Sequence, residues 1–123
     1  MKIIKTKLFT KWAIKNEVTD EALTAAAKEI VIDVYEASYG GGVIKKRIAN
    51  KGRGKSSSTR TIVAFKKGRH CFFVFGFEKN ARSNITLNEE KAFKIIAKSL
   101  LASSDFEINE LIKEGALIEV KNE

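Results

Sequence analysis

Two runs of β-branched and aromatic residues, Thr61-Ile62-Val63-Ala64-Phe65 and Cys71-Phe72-Phe73-Val74-Phe75, are joined by a short stretch that contains Lys66-Lys67-Gly68-Arg69. Such runs suit the pleated, buried surface of central strands, and the Gly-containing connection is short enough only for an antiparallel return, so the pair predicts a hairpin. Val43-Ile44-Lys45-Lys46-Arg47-Ile48 is a third strand candidate, and Ala49 to Thr59, rich in Gly, Ser and Lys, reads as the loop that follows it.

Helical spacing frames these strands. Leu8, Phe9, Trp12 and Ala13 mark a short amphipathic helix. Thr19 caps a longer one, with Asp20 and Glu21 in its first turn and an apolar stripe of Leu23, Ala26, Ala27, Ile30 and Val34. Its Ala-rich start predicts helix through about Ala37, ended by Gly40-Gly41-Gly42, although Ile30-Val31-Ile32 also admits a strand. Thr86 to Glu89 forms a capping box before Phe93, Ile96, Ala97, Leu100 and Leu101. Ser104 or Asp105 caps a short fourth helix with Ile108, Leu111 and Ile112 on one face, and Gly115 stops it before a final strand, Ala116 to Val120. The fold class is therefore α+β, and 123 residues without an interdomain linker predict one domain over 1–123.

Twelve of the 23 Lys and Arg lie between Gly41 and Arg82, where Glu78 is the one acidic residue, so this third carries +11 of a chain whose net charge is +8. A single-sign block repels itself and concentrates phosphates around it, which points to a nucleic-acid partner. Met1 to Lys7 lacks the apolar stretch of a signal peptide, and a single Cys leaves no intramolecular disulfide, so the cytoplasm is the expected compartment. One His and one Cys come close to excluding a zinc site of the usual ligands, and no cofactor is expected.

Gly52-Arg53-Gly54-Lys55-Ser56-Ser57 shares its Gly-Lys-Ser ending with a phosphate-binding P-loop. The position five before Gly54 is Ala49 rather than Gly, and a strand follows instead of a helix, so the helix N-terminus that would hold a pyrophosphate is missing. The loop reads better as a contact to an RNA or DNA backbone, with Lys45, Lys46, Arg47, Lys51 and Arg53 as the docking cations. In a hairpin the start of one strand lies beside the end of its partner, which brings Arg60 near Lys79 and Arg82 and places Lys55 beside them. Arg clamps a phosphate with two N–H groups while Lys acts as a point charge.

Phe9-x-x-Trp12-Ala13, Gly40-Gly41-Gly42-Val43-x-Lys45-Lys46-Arg47, Gly52-Arg53-Gly54-Lys55-Ser56, Arg60-Thr61-x-Val63-Ala64-Phe65 and Phe75-Gly76-Phe77-x-Lys79-Asn80-x-Arg82-x-Asn84-Ile85 together resemble a branch of the RelE/ParE superfamily of bacterial toxin-antitoxin toxins. Ser57-Ser58 departs from the Gly-Gly usual after the Lys-Ser of that branch. The resemblance implies N-terminal helices packed on a small twisted antiparallel β-sheet, with a C-terminal helix and short final strand. It also implies a metal-independent RNase acting on messenger RNA in the ribosomal A site. The implied partners are the ribosome, mRNA and a cognate antitoxin of helix-turn-helix type, with DNA bound only through the antitoxin complex and no membrane.

RNA cleavage without a metal needs a base for the ribose 2′-OH, an acid for the leaving oxygen and cations for the charge on phosphorus. His70 is the one His, so a paired-histidine mechanism is impossible, and its place at a turn marks it as a bystander. The resemblance assigns catalysis to Arg60, Lys79, Arg82 and Lys55. Arg60 would hold the scissile phosphate, since a guanidinium stays protonated, and Lys55 or Lys79 would move the proton. Glu78 is a base or the partner of a neighbouring cation, and Phe77 either stacks on a base or packs beside Phe75. Two rival readings share the same residues: a ParE-like inhibitor of DNA gyrase, and a non-enzymatic nucleic-acid-binding module.

Overall fold

The computed structural model describes residues 1–49 and 59–121. Strand β1 (Ile3–Thr6) runs directly into helix α1 (Lys7–Lys15), and α2 (Asp20–Val31), β2 (Ala37–Gly40), β3 (Val43–Arg47), β4 (Thr59–Phe65) and β5 (Cys71–Glu78) follow. The chain then forms α3 (Leu87–Ala102), α4 (Asp105–Lys113) and β6 (Leu117–Glu119). The six strands make one sheet in the order β2-β3-β4-β5-β1-β6, antiparallel except where β1 lies parallel to β5. The α+β class and the β4–β5 hairpin are as the sequence predicts, with Phe65 opposite Cys71 next to the turn and Thr59 opposite Glu78 at the far end.

Helices cover both faces of the sheet, which explains why the central strands are apolar without alternation. On one face α1 and α2 place Phe9, Ala13, Leu23, Ala27 and Ile30 against Ile44, Val63 and Phe73. On the other, α3 and α4 place Phe93, Ala97 and Ile108 against Val43, Ile62, Phe72 and Val74. A register shift opposes Ile62 to Phe75 and Val63 to Phe73, so Val74 is the extra residue of a β-bulge in β5. The bulge resets the alternation: Phe75 and Phe77 both join the α3 side, and Gly76 turns to the α1 side, beneath the Trp12 indole.

The helix starts are local bonds. Thr6, Thr19, Thr86 and Ser104 each accept the backbone N–H three residues on, and Glu89 and Glu107 complete capping boxes. Helix α2, however, stops at Val31 and not near Ala37. Asp33 adopts a left-handed conformation at φ 65°, Val34 N–H bonds Glu29 O at 2.9 Å, and Asp33 N–H bonds Ile30 O at 2.9 Å. This is a Schellman closure with Asp where Gly is usual. Val34, expected on the buried stripe, is consequently 46% exposed. The released chain becomes β2, and Gly40, Gly41 and Gly42 form the β2–β3 turn rather than a helix end. The Met1 to Lys7 segment also contributes a strand that periodicity did not mark, β1.

Candidate nucleic-acid interface

Alternation along β3 sends Val43, Lys45 and Arg47 to the α3 side of the sheet and Ile44, Lys46 and Ile48 to the α1 side. Arg60 stands opposite both Arg47 and Phe77, two residues from Ile62, and so shares the face of Lys45 and Arg47. Helix α3 packs against the Val43 and Ala64 end of this face, leaving the Arg47, Arg60 and Phe77 end to the loop after β5.

Arg60 is 5% exposed, and its Nε donates to both carboxylate oxygens of Glu36, at 2.8 and 3.0 Å. Lys45 Nζ approaches the same carboxylate at 3.6 Å. Desolvation pulls the Glu36 pKa upward, but the hydrogen bond and charge of Arg60, with the charges of Lys45 and Lys79, outweigh it and hold the group below its usual range. Glu36 is thus the acidic centre of a cationic face, contributed by the extended chain that the early end of α2 releases; its N–H bonds Lys45 O at 2.8 Å to begin the β2–β3 pairing.

Arg82 closes the site from the loop after β5. Its guanidinium lies 5.1 Å from the Phe75 ring centroid and 5.4 Å from that of Phe77, and bonds Glu89 through two parallel N–H groups at 2.8 and 2.9 Å. The bond from Arg82 is the first cause of a lowered Glu89 pKa. Because Glu89 also caps α3, this clasp ties the loop to the helix start. Tyr39 on β2 pins the same loop by donating to Asn84 Oδ1 at 2.8 Å. The exposed Lys79 belongs to this loop and adds its charge at Glu36.

The structure therefore brings Lys45, Arg47, Arg60, Lys79 and Arg82 to one face. Lys46, expected to contact RNA, is on the other: it is 5% exposed and its Nζ donates to Glu29 Oε1 at 2.6 Å and Val34 O at 2.9 Å, a tie between β3 and the end of α2. Phe77, 5% exposed, packs beside Phe75 and lies beneath Arg82. Glu78 faces the α1 side and accepts from Thr59 Oγ1 at 3.3 Å. Lys51, Arg53 and Lys55 lie outside the described residues. His70 sits at the opposite end of β5, roughly 25 Å away by strand rise, where Nδ1 accepts from Lys2 N–H at 3.0 Å and Nε2 meets Asp105 at 2.9 Å. Glu36 escaped the sequence reading because it precedes the basic block and fell within the span assigned to helix.

Fold and face together define a basic α+β protein whose cations gather on one sheet face. The chain belongs to the RelE family: the model of the RelE toxin of the RelE / RelB toxin-antitoxin system matches residues 1–120, which makes this protein a toxin with a cognate antitoxin as partner. None of the curated proteins compared with the chain matches it. Among the described residues no helix is long and apolar enough to cross a membrane.

Proposed function

We propose that the protein is a ribosome-dependent mRNA endoribonuclease that stops translation in the cytoplasm until its antitoxin, of helix-turn-helix type, neutralises it. The observation that carries this reading is the gathering of Lys45, Arg47, Arg60 and Lys79 around one sheet face, with Arg60 held in place by Glu36. Arg60 holds the scissile phosphate and offsets the charge that grows on it as the 2′-OH attacks, a role suited to a group that stays protonated. Arg82, stacked on Phe75 and Phe77, and Lys79 complete the cationic lining, and Lys55, which precedes β4 in sequence, is assigned to catalysis with them. Lys45, Arg47, Lys51 and Arg53 dock the RNA backbone.

Induced expression of wild type beside Arg60→Ala tests this reading, following amino-acid incorporation and the 5′ ends of a translated reporter mRNA. Wild type creates new ends inside the reading frame that require translation, and Arg60→Ala loses them, a fall of at least about 100-fold for a lost charge-stabilising donor. Growth arrest with intact mRNA overturns the reading in favour of a protein target such as gyrase.

A further inference from the structure

We propose that Glu36 is the proton acceptor of the cleavage step, an inference that rests on the RNase reading and adds to it the group that activates the nucleophile. Glu36 is the carboxylate bonded to Arg60, with both oxygens within 3.0 Å of Nε. A phosphodiester gripped by the same guanidinium stands next to that carboxylate, and the ribose 2′-OH is one bond removed from the 3′-carbon that carries the phosphate. The geometry that holds the electrophile therefore also brings the nucleophile's proton to a carboxylate.

In the free protein Lys45, Arg47 and Arg60 share the face with Glu36, Lys79 comes from the loop after β5, and Tyr39 comes from β2, the strand that Glu36 immediately precedes. These cations keep the carboxylate ionised at neutral pH, ready to accept a proton. An arriving phosphodiester brings negative charge beside it and takes up part of the Arg60 field, which raises its proton affinity at the moment of attack. The 2′-OH gives its proton to a Glu36 oxygen as O2′ bonds phosphorus. The P–O5′ bond breaks, and O5′ leaves with a proton from the Lys79 ammonium. The products are a 2′,3′-cyclic phosphate and a 5′-hydroxyl, with one proton gained by Glu36 and one lost by Lys79.

Single-turnover cleavage on mRNA-programmed ribosomes, with wild type, Glu36→Gln, Glu36→Asp and Glu36→Ala, tests the assignment. Gln keeps an oxygen that accepts from Arg60 Nε and removes the base. The expected result is a loss of about 10²–10⁴-fold in rate for Glu36→Gln, with RNA affinity equal to or tighter than wild type. Glu36→Asp retains more activity, formate restores part of the Glu36→Ala rate, and the acid-side fall of the wild-type pH profile is absent from Glu36→Gln. Thermal melts of each variant verify that the fold is kept. Cleavage by Glu36→Gln within threefold of wild type overturns the base, as does loss of Glu36→Ala activity without formate rescue. Intact mRNA with the wild type overturns the RNase reading itself.

Discussion

Trp12 rests its indole on Gly76, and three of its ring carbons lie closer than 3.0 Å to where a Cβ on Gly76 would stand. The ring also meets Phe9 at 5.4 Å between centroids, and Phe9 meets Phe73 at 5.5 Å, so the contact is anchored in the core and has little room to yield. Gly76→Ala is expected to cost about 1–3 kcal/mol of stability by overpacking, measured in denaturant melts, and Trp12→Ala in the same chain should recover part of it. An unchanged midpoint would mean that the indole moves freely. The caps at Thr19, Thr86 and Ser104 could be read from sequence because each bond joins residues three apart. Glu36 and Lys46 could not, because their partners Arg60 and Glu29 lie 24 and 17 positions away and no local pattern announces them.

Helix α2 shows how tertiary contacts overrule periodicity. Its apolar stripe continues in sequence to Val34, yet the helix closes at Val31, where Asp33 takes the left-handed turn and Lys46 of β3 takes up both the Glu29 carboxylate and the Val34 carbonyl. The β4–β5 hairpin was legible because its pairing is local. Strand β1 was not, since it pairs with β5 and β6 across most of the chain, and β2 was hidden by the continuing helical pattern. The Val74 bulge left no sequence mark, although it decides that Phe75 and Phe77 both underlie Arg82. If Lys46 is the clasp of α2, Lys46→Met should lower stability by about 1–2 kcal/mol through the lost charge-assisted bonds. Its RNA binding should keep the wild-type salt slope, and a shallower slope in titrations of this variant would return Lys46 to the phosphate-contacting set.

At the scale of the whole molecule, the basic block of the sequence divides in space. Lys45, Arg47, Arg60, Lys79 and Arg82 meet at one end of the β4–β5 pair, whereas Lys66, Lys67 and Arg69 stand at the opposite turn, with Lys67 bonded to Asp33 at 3.1 Å and Arg69 to the Ser103 carbonyl. On the proposed RNase reading net charge would draw RNA to both ends, but only a set of cations that meets the strand in a fixed geometry releases counterions in proportion to its number. With about five phosphate contacts, the log-log salt dependence of single-stranded RNA binding should have a slope near −3.5. Arg47→Gln and Lys79→Gln should each make it shallower by about 0.7, while Lys66→Gln with Lys67→Gln should leave it unchanged. Fluorescence anisotropy across a salt series measures all three. A flat wild-type response would remove this face as the docking surface, and equal effects at the two ends would mean that RNA senses the net charge alone and the division of the block has no bearing on binding.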